Sequence, residues 1–200
     1  MKHIMSLPGY RENEYLLVLK PHEELSNQIK MIKEKFAKDF EAPMAIWTKP
    51  QIPLVKFFQY EMMEERIFNQ FKNIGIGINP FKVELSNFGS FPTHTIYINV
   101  TTKLPIQVLI KQLKSSQQLL KHKDVKPHFI EESHLTICQR LIPWQYEKAW
   151  LVYSHEHYTG RFIADSMQLL KRPAGEKGYK PVQNFDFLNL PVSTKQGDLF

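Results

Sequence analysis

His134 and Thr136 are the residues of this 200-residue chain whose types and spacing suit chemistry. In an extended strand, side chains alternate between faces. His134 and Thr136 then point one way, while Leu135 and Ile137 point into a core. An imidazole exchanges a proton near neutral pH, and a hydroxyl donates to a phosphoryl oxygen. The pair suits a phosphate ester. His-x-Thr is common by chance, but it gains weight here because the chain reads as two similar halves. The matching place in the first half is Gln51-Ile52-Pro53-Leu54.

The elements that must position these residues recur in order. Residues 14–20 read as a buried strand ended by Pro21. Residues 22–40 read as a helix with Leu25, Ile29, Ile32, Phe36 and Phe40 on one face. The strand carrying Gln51 falls within 45–58, a second helix within 61–72, and a strand bending at Gly89 within 81–91. The second half repeats this. Its first strand, 95–100, sets Ile96 and Ile98 on one face and Tyr97 and Asn99 on the other. A helix follows from Pro105, then a polar loop over 122–133, the strand with His134, a helix from Pro143 and a strand over 161–170. Tyr179–Val182 pairs with that strand as a hairpin. Leu17 precedes Gln51 by 34 residues (51 − 17), and Ile98 precedes His134 by 36 (134 − 98). Coincidence is the competing explanation, because strand–helix alternation is common. The spacing otherwise sets Gln51 and His134 at equivalent places on two walls of one cleft. The expected fold is α+β, with two pseudo-symmetric βαβαβ-type lobes, about 14–91 and 95–183, whose antiparallel sheets face a central cleft. A flexible leader, 1–13, precedes them, and a tail, 184–200, follows.

Hydrophobic residues make up 42% of the chain, enough to bury a core, which excludes wholesale disorder. No apolar run reaches the roughly 18 residues of a membrane span, and the N-terminus lacks the apolar segment of a secretory signal. A single cysteine, Cys138, excludes an intrachain disulfide and a cysteine-based zinc site, and points to a reducing, cytoplasmic compartment. The net charge of +6 favours an anionic partner such as RNA, DNA or a nucleotide. The lysines are scattered, so a solvated basic surface is the alternative.

Three segments resemble the two-histidine phosphoesterase superfamily, in its 2′-5′ RNA ligase-like branch. They are Lys49-Pro50-Gln51-Ile52-Pro53-Leu54, Phe88-Gly89-Ser90-Phe91-Pro92 before the strand 95–100, and Ser133-His134-Leu135-Thr136-Ile137. The resemblance spans about 14–182. It implies two His-x-Thr/Ser motifs facing across a cleft, acting on 2′,3′-cyclic phosphates or 2′-5′ linkages without metal or organic cofactor. One histidine is the base, the other the acid, and the hydroxyls hold the phosphate. His134 and Thr136 match as catalytic and phosphate-binding residues. The first motif departs twice, with Gln51 for histidine and Pro53 for the hydroxyl residue. Glutamine donates a hydrogen bond but exchanges no proton near neutral pH, and proline has neither hydroxyl nor N–H. The resemblance therefore implies binding of an RNA or nucleotide phosphoester at Gln51, His134 and Thr136, with phosphodiesterase activity weakened or lost. The alternatives are an active phosphodiesterase with a replacement partner for His134, or a non-catalytic adaptor.

Other residues compete for roles. His94 is the candidate replacement for the missing histidine, against an ordinary surface histidine. Lys171 and Arg172 are candidates to rim the cleft and attract phosphate, against a plain basic strand end. Phe91, Tyr97 and Trp47 are read as core rather than as base-stacking groups. The last five residues, Gln196-Gly197-Asp198-Leu199-Phe200, resemble the peptide by which bacterial proteins dock on the DNA sliding clamp, through Gln196, Leu199 and Phe200. The competing reading folds Leu199 and Phe200 back on their own domain.

Overall fold

The computed structural model describes residues 9–190. The N-terminal half gives strand β1 (Glu12–Leu19), helix α1 (Glu23–Asp39), strand β2 (Ile52–Tyr60), helix α2 (Glu64–Ile76) and strand β3 (Phe81–Phe91). The C-terminal half gives β4 (Thr95–Val100), α3 (Leu104–Leu113), the single turn α4 (Gln117–Leu120), β5 (His128–Phe129), β6 (His134–Gln139), α5 (Pro143–Tyr153), β7 (Thr159–Ala164), β8 (Ser166–Pro173) and β9 (Lys180–Asp186). Helix α1 starts where His22 accepts the Leu25 N–H at its ring nitrogen. Glu23 and Glu24 in its first turn suit the helix dipole.

Two antiparallel sheets result, ordered β5-β2-β1-β8-β9 and β6-β4-β3-β7, and they face a central cleft. The expected two-fold repeat is present, but the halves exchange strands. β3 ends the first repeat and pairs with β4 of the second sheet, while β8 follows the second repeat and pairs with β1 of the first. The lobe boundary between 91 and 95 is therefore not a sheet boundary. The strand expected over 161–170 is two strands broken at Asp165, with β7 in one sheet and β8 in the other. This exchange ties the halves into one hydrophobic core.

On the inner face of β1, Tyr15 stacks on Phe57, and α2 covers them through Phe71, which also meets Phe185. Under the second sheet, Phe36 of α1, Tyr153 of α5 and Phe88 of β3 pack together.

Two described segments expected outside the lobes, 9–13 and 184–190, pack on the domain. β1 begins at Glu12, and the Met62 N–H donates to the Gly9 carbonyl, so residues 9–13 are not loose leader. Phe185 and Phe187 are buried, and the N–H groups of Asn189 and Leu190 donate to Ile78 and Ile76, so 184–190 belongs to the domain. Gln196, Leu199 and Phe200 lie outside the described residues. Among the described residues, no helix is long and apolar enough to cross a membrane.

Candidate active site

His134 opens β6 and Thr136 follows on the same face. Both are half-buried, while Leu135 and Ile137 are fully buried behind them. Asn99 of β4 stands opposite His134, and Tyr97 opposite Thr136. On the other side of β4, Gly89 of β3 stands opposite Tyr97. A Cβ on Gly89 would lie 2.6 Å from the Tyr97 ring and 2.7 Å from Asn99 Oδ1, so the glycine is what lets the ring lie flat across the sheet.

The imidazole is fixed on two sides. Its Nδ1 lies 2.8 Å from the Glu132 carbonyl oxygen. A carbonyl only accepts, so Nδ1 carries the proton in that bond, which turns Nε2 into the free nitrogen. The ring centroids of Phe91 and Tyr97 lie 5.1 and 5.0 Å from that of His134. Partial burial pushes the Tyr97 phenol above its ordinary range, and the Glu132 charge adds to this. The phenol is therefore a neutral donor beside the imidazole.

The first motif is built on the same plan. Gln51 sits one residue before β2 rather than within the expected strand. Gln51 and Pro53 are half-buried, and Ile52 and Leu54 are buried. The registers of the two halves coincide to the residue. Val18 stands opposite Pro53 and Leu17 opposite Val55, which leaves Leu54 as a bulge. Tyr97 stands opposite Thr136 and Ile96 opposite Cys138, which leaves Ile137 as a bulge. Counting from these bulges, Gln51 is the counterpart of His134 and Pro53 that of Thr136.

Two links join the motif segments. β5 pairs with β2, and the Ile130 N–H donates to the Leu54 carbonyl at 2.9 Å, four residues before His134 in the chain. The region 122–133 is thus anchored on the first sheet and is not a free polar loop. The second link is Lys33 of α1, only 2% exposed. Its ammonium donates to Thr48 Oγ1 at 3.0 Å and to the Thr136 carbonyl at 3.2 Å. It thereby holds the lead-in to Gln51 against the strand of His134. Burial lowers the Lys33 pKa to about 8, against a smaller opposing effect of Cys138, and burial pushes the Cys138 thiol up to about 11.

The other expected residues lie elsewhere. His94 is exposed in the turn between β3 and β4, bonded to Thr95, which pairs with Gln139 at the far end of β6. At about 3.3 Å per residue, that is roughly 16 Å along the strand from His134, so His94 does not replace the missing histidine. Lys171 is held by Glu61 and Glu64, and Arg172 by both of its bonds to Glu14 Oε2. Neither cation is free for a phosphate. His122 is buried, bonded to Gln59 and Glu12. Phe91 and Tyr97, taken as core from sequence, instead frame His134. Sequence reasoning names none of Tyr97, Asn99 and Lys33 for the site; the signals that could have found them are the alternation of Tyr97 and Asn99 against Ile96 and Ile98, and a lysine standing in an apolar helix stripe. Among the described residues, no group of three His, Cys, Asp or Glu side chains is placed to hold a metal ion.

The model of the 2′-5′ RNA ligase superfamily matches residues 21–176. No curated protein matches the chain in sequence. Among solved structures, E. coli LigT in its apo form superposes with a TM-score of 0.63 at 12% identity, covering 88% of this chain and 98% of that one. LigT complexed with 3′-AMP gives 0.60 at 11% identity, with the same coverage. TT0787 of Thermus thermophilus gives 0.59 at 15% identity, again covering 88% and 98%. At these identities the likeness shows a shared fold.

Proposed function

This chain belongs to the 2′-5′ RNA ligase superfamily, within the two-histidine phosphoesterases, and we propose that it binds a ribonucleotide phosphoester in its cleft with phosphodiesterase activity weakened or lost. The observation that carries the binding half is the fixed imidazole of His134, with Nε2 free and the Thr136 hydroxyl on the same face. Nε2 takes a proton from a hydroxyl or, once protonated, donates to a phosphoryl oxygen, and Thr136 donates to a second oxygen. Nucleotide complexes of the similarly folded LigT, one of them with 3′-AMP, support a nucleotide as ligand.

The catalytic half rests on the first motif. Opening a cyclic phosphate needs a group to take the proton of the attacking water and one to protonate the departing ribose oxygen. With Gln51 and Pro53 at the counterpart positions, one of these transfers has no imidazole. One positioned acid or base contributes about 10²- to 10⁴-fold, so turnover falls by that order. The buried, unpaired thiol of Cys138 agrees with a cytoplasmic location.

The test is turnover of 2′,3′-cyclic nucleotides and short 2′-5′ oligomers by the wild type, His134→Ala and Gln51→His. Activity that appears only in Gln51→His supports the proposal. Wild-type activity abolished by His134→Ala instead supports an intact enzyme with a replacement partner. The 5.0 Å approach of Tyr97 to His134 favours its phenol for that role, and Tyr97→Phe tests it. Docking of Gln196–Phe200 on a sliding clamp is a separate proposal, tested with the peptide; binding weaker than about millimolar, the affinity at about −4 kcal/mol, ends it.

A further inference from the structure

A turn from the first sheet reaches across to the side that carries His134. On β1, Tyr15, Leu17 and Leu19 join the main core, while Leu16 and Val18 face the other way. Val18 stands opposite Pro53, and directly opposed residues share a face, so this is the face of the first motif. Tyr179, at the end of the turn between β8 and β9, packs there on Leu16, Val18 and Leu170. Its hydroxyl donates to Glu14 at 2.8 Å, and the Arg172 guanidinium lies 4.6 Å from its ring centroid. The turn is thereby folded back over the motif face. Two residues before Tyr179, the Lys177 ammonium lies 5.6 Å from the centroid of the Trp47 ring. Trp47, expected in the core, is 62% exposed. It ends the short helical turn Pro43–Trp47, which packs against α1 and β6. The next residue is Thr48, which Lys33 ties to Thr136.

The tip of this turn is built to move. Residues 174–178 are all exposed, between anchors at Ala174, whose N–H donates to the Glu12 carbonyl, and Tyr179. Gly175 and Gly178 take φ of +85° and +83°, and no atom lies within 4 Å of the place a Cβ would occupy on either. Glycine holds such a φ without strain, and the open space lets both residues rotate without displacing a neighbour. The tip meets the opposite side through Lys177 on Trp47. A cation–π contact in solvent is weak, and exposed backbone with few apolar contacts opens at low cost.

We propose that residues 174–178 form a latch across the cleft, caught by Lys177 on Trp47, and that release of this catch opens the way to Gln51 and His134. The inference rests on the cleft being the binding site proposed above. The latch governs access to the motif residues and leaves their own side chains unchanged.

The test places a thiol at the first motif, as Gln51→Cys, and follows its reaction with the neutral reagent N-ethylmaleimide. The wild type, whose one cysteine is the buried Cys138, gives the background. In the Gln51→Cys protein, adding Lys177→Met or Trp47→Leu is expected to speed labelling about two- to fivefold, the population shift that an exposed cation–π contact supports. Both changes together should give no more than either alone, because they break one contact. Lys177→Arg, which keeps a cation for the ring, should label at the slow rate. Unchanged labelling in Lys177→Met and Trp47→Leu, or two effects that multiply in the double variant, overturns the latch. The same proteins are then labelled in the presence of AMP, which is expected to protect the thiol. If AMP protects none of them while Lys177→Met still labels faster, the binding proposed in the cleft fails and the latch stands. If AMP protects all of them and their rates without AMP are equal, the latch fails and the binding stands.

Discussion

The ammonium of Lys33 stands 3.2 Å from the backbone carbonyl oxygen of Thr136, the residue whose hydroxyl lies beside His134. The same ammonium holds Thr48, three residues before Gln51. Among the described residues, no carboxylate answers this buried charge; its partners are a hydroxyl and a carbonyl. The molecule therefore keeps a destabilising cation at the junction of its two motif segments.

That charge predicts an unusual pH dependence of stability. Burial brings the Lys33 pKa down to about 8 in the folded state, from 10.5 when unfolded. Between those values the unfolded chain binds more protons, so stability rises with pH. From pH 8 to 9.5 the Lys33 contribution is a gain on the order of 1 kcal/mol, opposed over the same interval by Cys138, whose thiol is pushed up to about 11 by burial, and by the onset of ionisation of the raised tyrosines in the unfolded chain. Urea unfolding at the two pH values measures it. Relative to Lys33→Met, the wild type should gain that amount between the two pH values, and a gap that does not change with pH would show that Lys33 is not its source.

Restoring the first motif should restore chemistry. Gln51 and Pro53 occupy the counterpart positions of His134 and Thr136, with the same bulge one residue on. Gln51→His/Pro53→Thr is expected to raise hydrolysis of 2′,3′-cyclic nucleotides by about 10²-fold or more. Adding His134→Ala to that variant should remove the gain. A double variant no more active than the wild type would mean that the two strands do not address one phosphate.

Much of this was legible in the sequence, for physical reasons. Alternation over His134–Ile137 and Thr95–Val100 marks faces because one side of each strand is fully buried. The repeat was visible because equivalent strands need similar lengths of connecting chain. Pairing partners were not visible: nothing in Phe81–Phe91 says that it joins the other repeat's sheet, and Asp165 gives little sign of a break between sheets. The fate of Lys171 and Arg172 was equally hidden, because the carboxylates that hold them come from Glu61, Glu64 and Glu14, at least 107 residues away. Lys33 was missed because its polarity contradicts the helix stripe in which it lies, and such contradictions concentrate at functional sites.

Gly89→Ala tests the floor of the site. The added methyl would meet the Tyr97 ring at 2.6 Å and Asn99 Oδ1 at 2.7 Å, so the ring that frames His134 must shift. Overpacking of this kind costs about 1–3 kcal/mol. Thermal unfolding should show that loss, and AMP affinity should fall with it. A variant with unchanged stability would mean that the ring has another resting place.

Glu14 provides a prediction with the same pH sign, in the acid range. It is buried on β1 and accepts from Arg172 twice, from the Tyr179 hydroxyl at 2.8 Å and from Lys56. Burial alone would raise its pKa, but the bonds from Lys56, Tyr179 and Arg172 together hold it below 4.5. A carboxyl with a depressed folded value contributes stability that is present above pH 4.5 and is lost as pH falls through the folded value. The Glu14 partners lie on β2, on β8 and at the turn into β9, so the acid transition should loosen the first sheet as a unit. Glu14→Gln keeps the shape and removes the charge, leaving Arg172 and Lys56 without their anion. Breaking such a pair costs about 3–5 kcal/mol when fully buried, and less here because both cations reach solvent. The expected result is a lower denaturation midpoint at pH 7 and a flatter decline below pH 4.5 than in the wild type. Equal acid sensitivity in the two proteins would move the source of that decline to other carboxylates, with Glu12, held by Lys123 and His122, the next to test.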